Sequence, residues 1–283
     1  LSCFRHEGRI TTTINPKGKP FNFPTYGPDS LAFMLHSLAA LRDERLVEKY
    51  KVFLNEEIMK FYRIVVDKKT GLPKKGHFSS MKDFSKKRSS CYDAVMCYMV
   101  EKNASILGLM NPLGVYDYKE LVIKNYWNGS YFYDDLSGKE YVAGDAQTFP
   151  FWSSLITEKD YFDKAIETVE KHKLDNPVPL KYTYEDNNES DMILIEIFAK
   201  NWERHMCWLH LGLCFMEAVY NFNKKKAREY VGSYRKIIEK YKNFPELLNP
   251  DLTLYESFFY YCSDSMIWAA AYLSLAKRLD VEK

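Results

Sequence analysis

The feature that most constrains this chain is an alternation of two kinds of helical stretch, repeated several times along 283 residues. Apolar residues recur mainly with the 3.6-residue period of a helix, and period-2 alternation is scarce. Five of the stretches are apolar along most of their length, and they begin near residues 29, 90, 146, 199 and 263. These starts are about 61, 56, 53 and 64 residues apart. A unit of roughly 50–60 residues is typical of a helical-hairpin repeat.

The stretches between them are amphipathic and highly charged, as in "ERLVEKYKVFLNEEIMKFY". A helix that is apolar nearly all round is buried, whereas an amphipathic helix lies at the surface. The pattern predicts an all-α fold, an (α/α)6-type toroid in which an inner ring of helices is wrapped by an outer ring. The predicted helices span 29–42, 44–65, 89–108, 116–127, 146–157, 159–173, 198–222, 224–242 and 262–280.

We expect residues 1–283 to form a single toroid domain. Six hairpins need twelve helices and the sequence predicts nine, so a complete ring would require three more helices upstream of Leu1. A less regular toroid is the alternative, and a homo-oligomer that completes the ring is left open.

Composition excludes several classes of function. The net charge of +2 argues against a nucleic-acid or membrane-surface partner, and no apolar run reaches the length of a membrane helix. Six cysteines are present without any CxxC pair, and five lie in apolar helical stretches. This usage favours free thiols in a reducing compartment, so we predict a cytoplasmic protein.

Long connections rich in aromatic rings precede the apolar helices. Because each leads into an inner helix, we expect all five to emerge at one end of the toroid. Aromatic faces and a few polar groups are what a small-ligand pocket contains, and rings pack well against sugars. Acids stand at or near the start of four helices, where they also fit a capping role: Asp29, Asp93, Asp145 and Asp264.

Glu256 differs from these acids because it lies upstream of the last helix, in "YESFFYYCSDS", where no cap is needed. A carboxylate there could activate water as the base of an inverting glycosidase, and the alternative is a solvated loop acid. His205 and His210 are five apart on one predicted helix, which is not the i,i+4 spacing of a zinc helix. No third ligand is suitably spaced and no glycine-rich phosphate loop is present, so we predict neither a metal nor a cofactor.

Five segments together resemble the six-hairpin glycosidases, the toroid enzymes that include glucoamylase and trehalase. They are "YGPDSLAF", "KRSSCYDAVM", "GDAQTFPFWSSL", "WERHMCWLHLGLCFMEAVY" and "YESFFYYCSDSMIWAAAYLSLA". The resemblance implies an (α/α)6 toroid, a carbohydrate substrate and Glu256 as general base. It also implies that a set of further residues holds the sugar: Asp29, Arg88, Tyr92, Asp93, Trp127, Asp145, Trp152, Trp202 and Arg204.

Two positions depart from the family pattern. In the relatives a carboxylate that serves as general acid directly follows a Trp, whereas here Asn128 follows Trp127. An amide cannot give a proton to a leaving group, so Asp135 becomes the predicted acid. In addition, Pro28 stands where the relatives have an arginine before the aspartate that corresponds to Asp29.

The resulting prediction is a glycoside hydrolase, inverting, that acts on a small α-glycoside or oligosaccharide in a pocket at one end of the toroid. A sugar epimerase or polysaccharide lyase on the same fold is a second interpretation, in which His205, His210 and tyrosines would carry the chemistry. A non-enzymatic helical-repeat binding protein is a third.

Overall fold

The computed structural model describes most of the chain. The described residues are 5–6, 9–10, 13–15, 17, 19–21, 25–78, 81–82, 86–184, 197–258, 260–262 and 267–280. They fall into two compact units. Unit 1 comprises Leu1–Tyr126 with Asp135–Gly138, and unit 2 comprises Trp127–Asp134 with Lys139–Lys283. The single-domain prediction stays a prediction.

Helices dominate the described residues, as the 3.6-residue pattern predicts. The described residues of unit 1 include α1 (Pro28–Leu41), α2 (Glu44–Val65), α3 (Cys91–Ile106) and α4 (Tyr118–Tyr126). Those of unit 2 include α5 (Gly144–Trp152), α6 (Lys159–Lys171), α7 (Leu209–Phe222), α8 (Lys224–Tyr241) and α9 (Ala269–Arg278). Every described helix is too short or too charged to span a bilayer.

Strands of two or three residues lie outside the helices in the described part of the chain and pair as antiparallel hairpins or ladders. In unit 1 they are β1 (Arg5–His6), β2 (Arg9–Ile10), β3 (Thr13–Ile14), β4 (Pro20–Phe21), β5 (Lys75–His77) and β6 (Lys86–Arg88). In unit 2 they are β7 (Cys207–Trp208), β8 (Leu247–Leu248), β9 (Glu256–Ser257) and β10 (Tyr260–Tyr261). Strands this short leave no readable alternation in the sequence.

In unit 1, α1 packs against α2 and α3, and α4 packs against α3. Short polar side chains set where these helices begin. The Asp43 side chain accepts from the Leu46 N–H at the start of α2, and Ser90 accepts from the Asp93 N–H at the start of α3. Both bonds satisfy backbone donors that the first turn of a helix leaves without a partner.

In unit 2, α7 packs against α5, α8 and α9, and α5 also packs against α6. A non-helical segment, 174–183, passes close to both α5 and α7. A Cβ added to Gly144 would lie 2.2 Å from the Lys181 carbonyl oxygen, and one added to Gly212 would lie 2.4 Å from that of Pro179. The two glycines are therefore what allows this segment to approach so closely.

Burial separates the helices into the two predicted kinds. Almost every residue of α5 and most residues of α3 and α7 are buried, whereas α2, α6 and α8 bury one face. The apolar first and last helices are exceptions. Leu41 at the end of α1 is 61% exposed and Leu273 of α9 is 54% exposed, so neither helix is covered all round by the described residues.

The prediction of a helix over 198–222 is wrong at its start, because α7 begins only at Leu209. Residues 199–206 form turns, and Asn201 adopts a left-handed backbone conformation (φ 62°) that interrupts a helix. The free thiols agree with expectation for the five cysteines that are described, Cys91, Cys97, Cys207, Cys214 and Cys262.

Candidate active site

The start of α3 gathers most of the predicted site residues of unit 1. The backbone of Ser90 pairs with that of Asp135, and the Leu136 N–H donates to the Arg88 carbonyl. The Asp135 carboxylate accepts two backbone N–H groups, from Arg88 at 2.7 Å and from Ser137 at 2.8 Å. Its side chain is buried, whereas that of Arg88 is exposed.

Tyr92 joins the start of α3 to that of α1. The Tyr92 hydroxyl donates to Asp29 Oδ2 at 3.2 Å. Asp29 stands in the first turn of α1, and Asp93 stands in the first turn of α3. Asp93 Oδ2 accepts from the Ser90 hydroxyl at 2.7 Å. Burial, together with the nearby carboxylates of Glu57 and Asp29, raises the pKa of Tyr26 well above its ordinary value. This region is a closed polar network in which carboxylates accept from backbone and hydroxyl donors.

In unit 2 the start of α5 carries the predicted Asp145, which is buried in the first turn. The Gly144 N–H donates to the Tyr182 carbonyl at 2.7 Å, which places Asp145 next to the segment 174–183. The Gln147 amide both accepts from the Phe132 N–H and donates to the Phe132 carbonyl, at 2.9 and 2.7 Å. This pair of hydrogen bonds fixes the connection 127–134 on α5.

Trp127, in that connection, packs against Phe132 and Tyr161, with ring centroids 4.8 and 4.9 Å apart. Asn128 Oδ1 accepts from the N–H groups of Ser130 and Tyr131, both at 2.9 Å. The Asn128 side chain therefore stabilises the turn that follows it, as in an Asx turn.

An aromatic cluster lies at the start of α7. We define it as Tyr182, Trp202, Trp208, His210, Tyr260 and Trp268. Trp208 contacts Tyr182 and Trp202, each at a centroid distance of 5.4 Å, and Trp202 contacts Tyr260 at 5.6 Å. His210 lies between Trp208 at 5.1 Å and Trp268 at 5.7 Å.

Three members of the cluster mark the leading ends of helices in unit 2. Trp208 precedes α7, Trp268 precedes α9, and Tyr182 receives the Gly144 N–H at the start of α5. The beginnings of α5, α7 and α9 thus converge within unit 2, whereas the convergence of all five leading connections stays a prediction. Arg204 lies in the same connection as Trp202, and its carbonyl accepts from the Thr183 N–H at 3.1 Å.

Glu256 lies on the hairpin of β9 and β10, which packs on this cluster through its other residues. Tyr255 is buried and contacts Tyr260, while the Tyr260 hydroxyl donates to Glu246. Glu256 pairs in register with Tyr261, so these two share the face opposite Tyr260, and Tyr261 is 77% exposed. Glu256 is itself exposed, so its carboxylate is open to solvent.

Trp152 lies apart from the other predicted residues of unit 2. It ends α5, about 10 Å along the helix axis from Asp145. Its indole N–H donates to Glu217 at 2.9 Å, and Glu217 also accepts from Arg278 at 2.7 Å. These bonds join the trailing parts of α5, α7 and α9, which favours a structural role for Trp152.

The two histidines do not share a helix, which corrects the sequence-based expectation: His205 lies in the turns before β7 and His210 in the first turn of α7. Asp264 lies outside the described residues. Within the described part of the chain, no group of three or more His, Cys, Asp or Glu side chains is placed to hold a metal ion.

Sequence reasoning did not name Trp208 or Trp268 as candidate site residues, because it placed both inside predicted helices, 198–222 and 262–280. In the structure each stands directly before a helix, and the sequence gives little sign of this because both lie within apolar runs. One groove of about 540 Å³ lies in unit 1 between the end of α1, the start of α2 and the end of α3. It is at the trailing end of α1, away from Asp29, so we assign it no part in the site.

The chain shares an α/α-toroid fold with solved structures of glycosidases. It is similar to a rhamnosidase from Klebsiella oxytoca with rhamnose bound, with a TM-score of 0.61 and 13% identity over 97% of this chain. It is also similar to the GH63 mannosylglycerate hydrolase from Thermus thermophilus in complex with glucose, with a TM-score of 0.59 and 11% identity over 92% of this chain.

A third structure, an uncharacterized conserved protein from Thermus thermophilus, is matched over the whole of this chain with a TM-score of 0.59 and 8% identity. The chain spans half the length of the rhamnosidase, 77% of the mannosylglycerate hydrolase and 86% of the third protein. No protein-family model matches the sequence, and neither does any curated protein sequence.

Proposed function

We propose that this chain is a glycoside hydrolase that binds a sugar at the aromatic cluster of unit 2. The observation that carries the proposal is the convergence of the leading ends of α5, α7 and α9 on one set of rings. The half-buried rings of Trp202, Tyr260 and Trp268 can cover the C–H faces of a sugar, and Asp145 at the start of α5 and Arg204 beside Trp202 are the proposed partners of its hydroxyl groups. Solved proteins of this fold include glycosidases with rhamnose or glucose bound, which supports a carbohydrate ligand.

Glu256 is the proposed general base, on a small α-glycoside or oligosaccharide that is hydrolysed with inversion. Its carboxylate is exposed to solvent, where a base in this reaction can take a proton from water. It lies on the hairpin face opposite the cluster residue Tyr260, so the proposal requires the substrate to extend from the cluster to that face. Trp127 and Trp202 are proposed sugar contacts, whereas Trp152 is left out because it lies at the trailing end of α5. For Asp29, Arg88, Tyr92 and Asp93 a sugar contact stays a prediction.

The predicted general acid, Asp135, does not have the surroundings of a proton donor. Both Asp135 oxygens accept backbone N–H groups, an arrangement that suits a carboxylate rather than a proton donor. Asn128 closes its loop and has no proton to give. We therefore expect hydrolysis to depend strongly on the leaving group, and 4-nitrophenyl glycosides, whose leaving group needs no protonation, to react faster than alkyl glycosides.

The test is hydrolysis of a panel of 4-nitrophenyl α-glycosides of glucose, mannose and rhamnose, with the anomer of the first product read by NMR. Glu256→Gln keeps the shape of the side chain and removes the base, so we expect turnover to slow by about 10²- to 10⁴-fold. Glu239→Gln is the matched control, because Glu239 is an exposed carboxylate on the outer helix α8. An unchanged turnover rate in Glu256→Gln would refute the assignment of the base.

The same variant separates the enzyme interpretations. Turnover of a sugar by epimerisation or elimination that survives Glu256→Gln would favour the epimerase or lyase alternative. No sugar turnover and no sugar binding by the wild type would favour the helical-repeat binding protein and end the glycosidase proposal.

A further inference from the structure

His210 occupies a specific place in the aromatic cluster that the proposed mechanism does not use. The ring stands perpendicular to Trp208, with an interplanar angle of 89°, and is tilted by 39° from Trp268. These two indoles precede α7 and α9, so His210 lies where the beginnings of both helices meet. Its orientation is set by packing between two large rings.

The two ring nitrogens of His210 have different surroundings. Nδ1 is buried and has no hydrogen-bond partner among the described residues, whereas the side chain as a whole is only half-buried. The accessible edge of the ring is therefore the one that carries Nε2. Burial lowers the pKa of His210 to about 4, so the imidazole is neutral near pH 7.

The neutral ring carries one proton, and the surroundings indicate where it lies. A buried N–H without an acceptor is rarer in proteins than a buried acceptor without a donor. The favoured tautomer is consequently the one with the proton on Nε2, at the accessible edge. His210 then presents a single, oriented N–H donor beside the faces of two indoles.

We propose that His210 is a sugar-binding residue that donates its Nε2–H to a hydroxyl oxygen of the substrate while Trp208 and Trp268 hold the ring in place. The inference rests on the proposed function, and it deepens it by assigning a neutral hydrogen-bond donor to the sugar site. It requires the substrate to place a hydroxyl group at the junction of α7 and α9.

Three substitutions test the donor by position. Glutamine places its amide N–H₂ near the position of Nε2, asparagine places its amide near Nδ1, and phenylalanine keeps a ring without any donor. We expect His210→Gln to bind sugar within about threefold of the wild type, and His210→Asn and His210→Phe to bind it about five- to tenfold more weakly, the share of one neutral hydrogen bond. His172→Phe is the matched control, since His172 also contacts a ring, Tyr184, but lies at the end of α6.

The measurement is calorimetric titration with glucose and with rhamnose, supported by tryptophan fluorescence, since three of the five tryptophans belong to the cluster. Deoxy sugars then identify the hydroxyl, because removal of the right one weakens binding to the wild type and leaves binding to His210→Phe unchanged. Equal affinity in all three variants would overturn this inference and leave the glycosidase proposal standing. A wild type that binds no sugar would overturn both.

Discussion

The start of α3 and the start of α7 present opposite kinds of surface, although both lead into apolar, buried helices. At α3 the polar groups are short, buried and hydrogen-bonded within unit 1: Ser90 and Asp135 accept backbone N–H groups, and Asp93 accepts from the Ser90 hydroxyl. At α7 the contacts are between rings, and the His210 Nδ1 has no partner among the described residues.

The difference shows that the start of α3 is held by hydrogen bonds and the start of α7 mainly by contacts between rings. A carboxylate that accepts backbone N–H groups, as Asp135 does, holds a loop in place. In the aromatic cluster Tyr182 and Trp208 are buried, whereas Trp202, Tyr260 and Trp268 are half-buried and leave ring surface on which another ring-shaped molecule can pack. The α7 end is accordingly the better candidate for ligand binding, and the α3 end for structural support.

The largest expected effect comes from a substitution that pushes the segment 174–183 away from α7. Gly212→Ala would place a Cβ 1.9 Å from the Tyr234 hydroxyl and 2.4 Å from the Pro179 carbonyl oxygen. Since the segment 174–183 carries Tyr182 into the cluster, we expect a loss of about 4 kcal/mol in the free energy of unfolding, or failure to fold. Urea unfolding followed by circular dichroism measures the loss.

Gly232→Ala is the matched control, because nothing lies within 4 Å of a Cβ at that position of α8. We expect it to stabilise the protein by about 0.5–1 kcal/mol through helix propensity. If both alanines behave alike, the close approach at Gly212 is not what positions the segment.

The two helix starts are also expected to differ in their response to low pH, because His210 at the start of α7 is a titratable group whose pKa is lowered by burial. Its pKa is 6.5 when unfolded and about 4 when folded, so between these values the unfolded chain binds a proton that the folded chain does not. The contribution of neutral His210 to the free energy of unfolding is therefore complete above about pH 6.5 and is lost as the pH falls toward 4.

We expect His210→Phe to lose roughly 2 kcal/mol less stability than the wild type between pH 7 and pH 4.5. Urea unfolding at the two pH values gives the difference, and His172→Phe serves as the comparison variant. Identical acid sensitivity in wild type and His210→Phe would contradict the buried, neutral imidazole.

The smallest expected effect concerns the α3 end. Asp135→Asn keeps one acceptor oxygen and turns an N–H₂ group toward a backbone N–H, so we expect about 1.5 kcal/mol of destabilisation, with the turnover rate within about threefold of the wild type. Asp163→Asn, which removes an exposed carboxylate from the surface of α6, should change neither quantity. If turnover on alkyl glycosides instead slowed by about two orders of magnitude or more, at wild-type stability, Asp135 would be established as the general acid.

Much of the helical framework could be predicted. The bounds of α1, α2 and α8 agree with prediction to within one residue, since long periodic runs end at clear signals such as Asp43 and Asn223. The start of α7 could not be predicted, because the mixture of apolar and charged residues in 198–208 fits an amphipathic helix as well as a packed turn. Only contacts with residues far along the chain, such as Tyr182 and Tyr260, select the turn.

The residues of the candidate site also divide into those that the sequence could predict and those that it could not. Trp202, Arg204 and Asp145 could be found because they lie in ring-rich connections, whereas the separate position of Trp152 follows from its place at the end of α5. His210 could be noticed in the sequence, but not its two indole neighbours or the different surroundings of its nitrogens.

The sequence by itself determined most of the helical stretches and the burial of α3, α5 and α7, because periodicity and charge are local properties of the chain. The tertiary structure decided which rings meet at the start of α7, which carboxylates are used up by backbone donors, and which face of its hairpin carries Glu256. Those outcomes depend on contacts between segments separated by tens of residues, and no local pattern encodes the distance between two such segments.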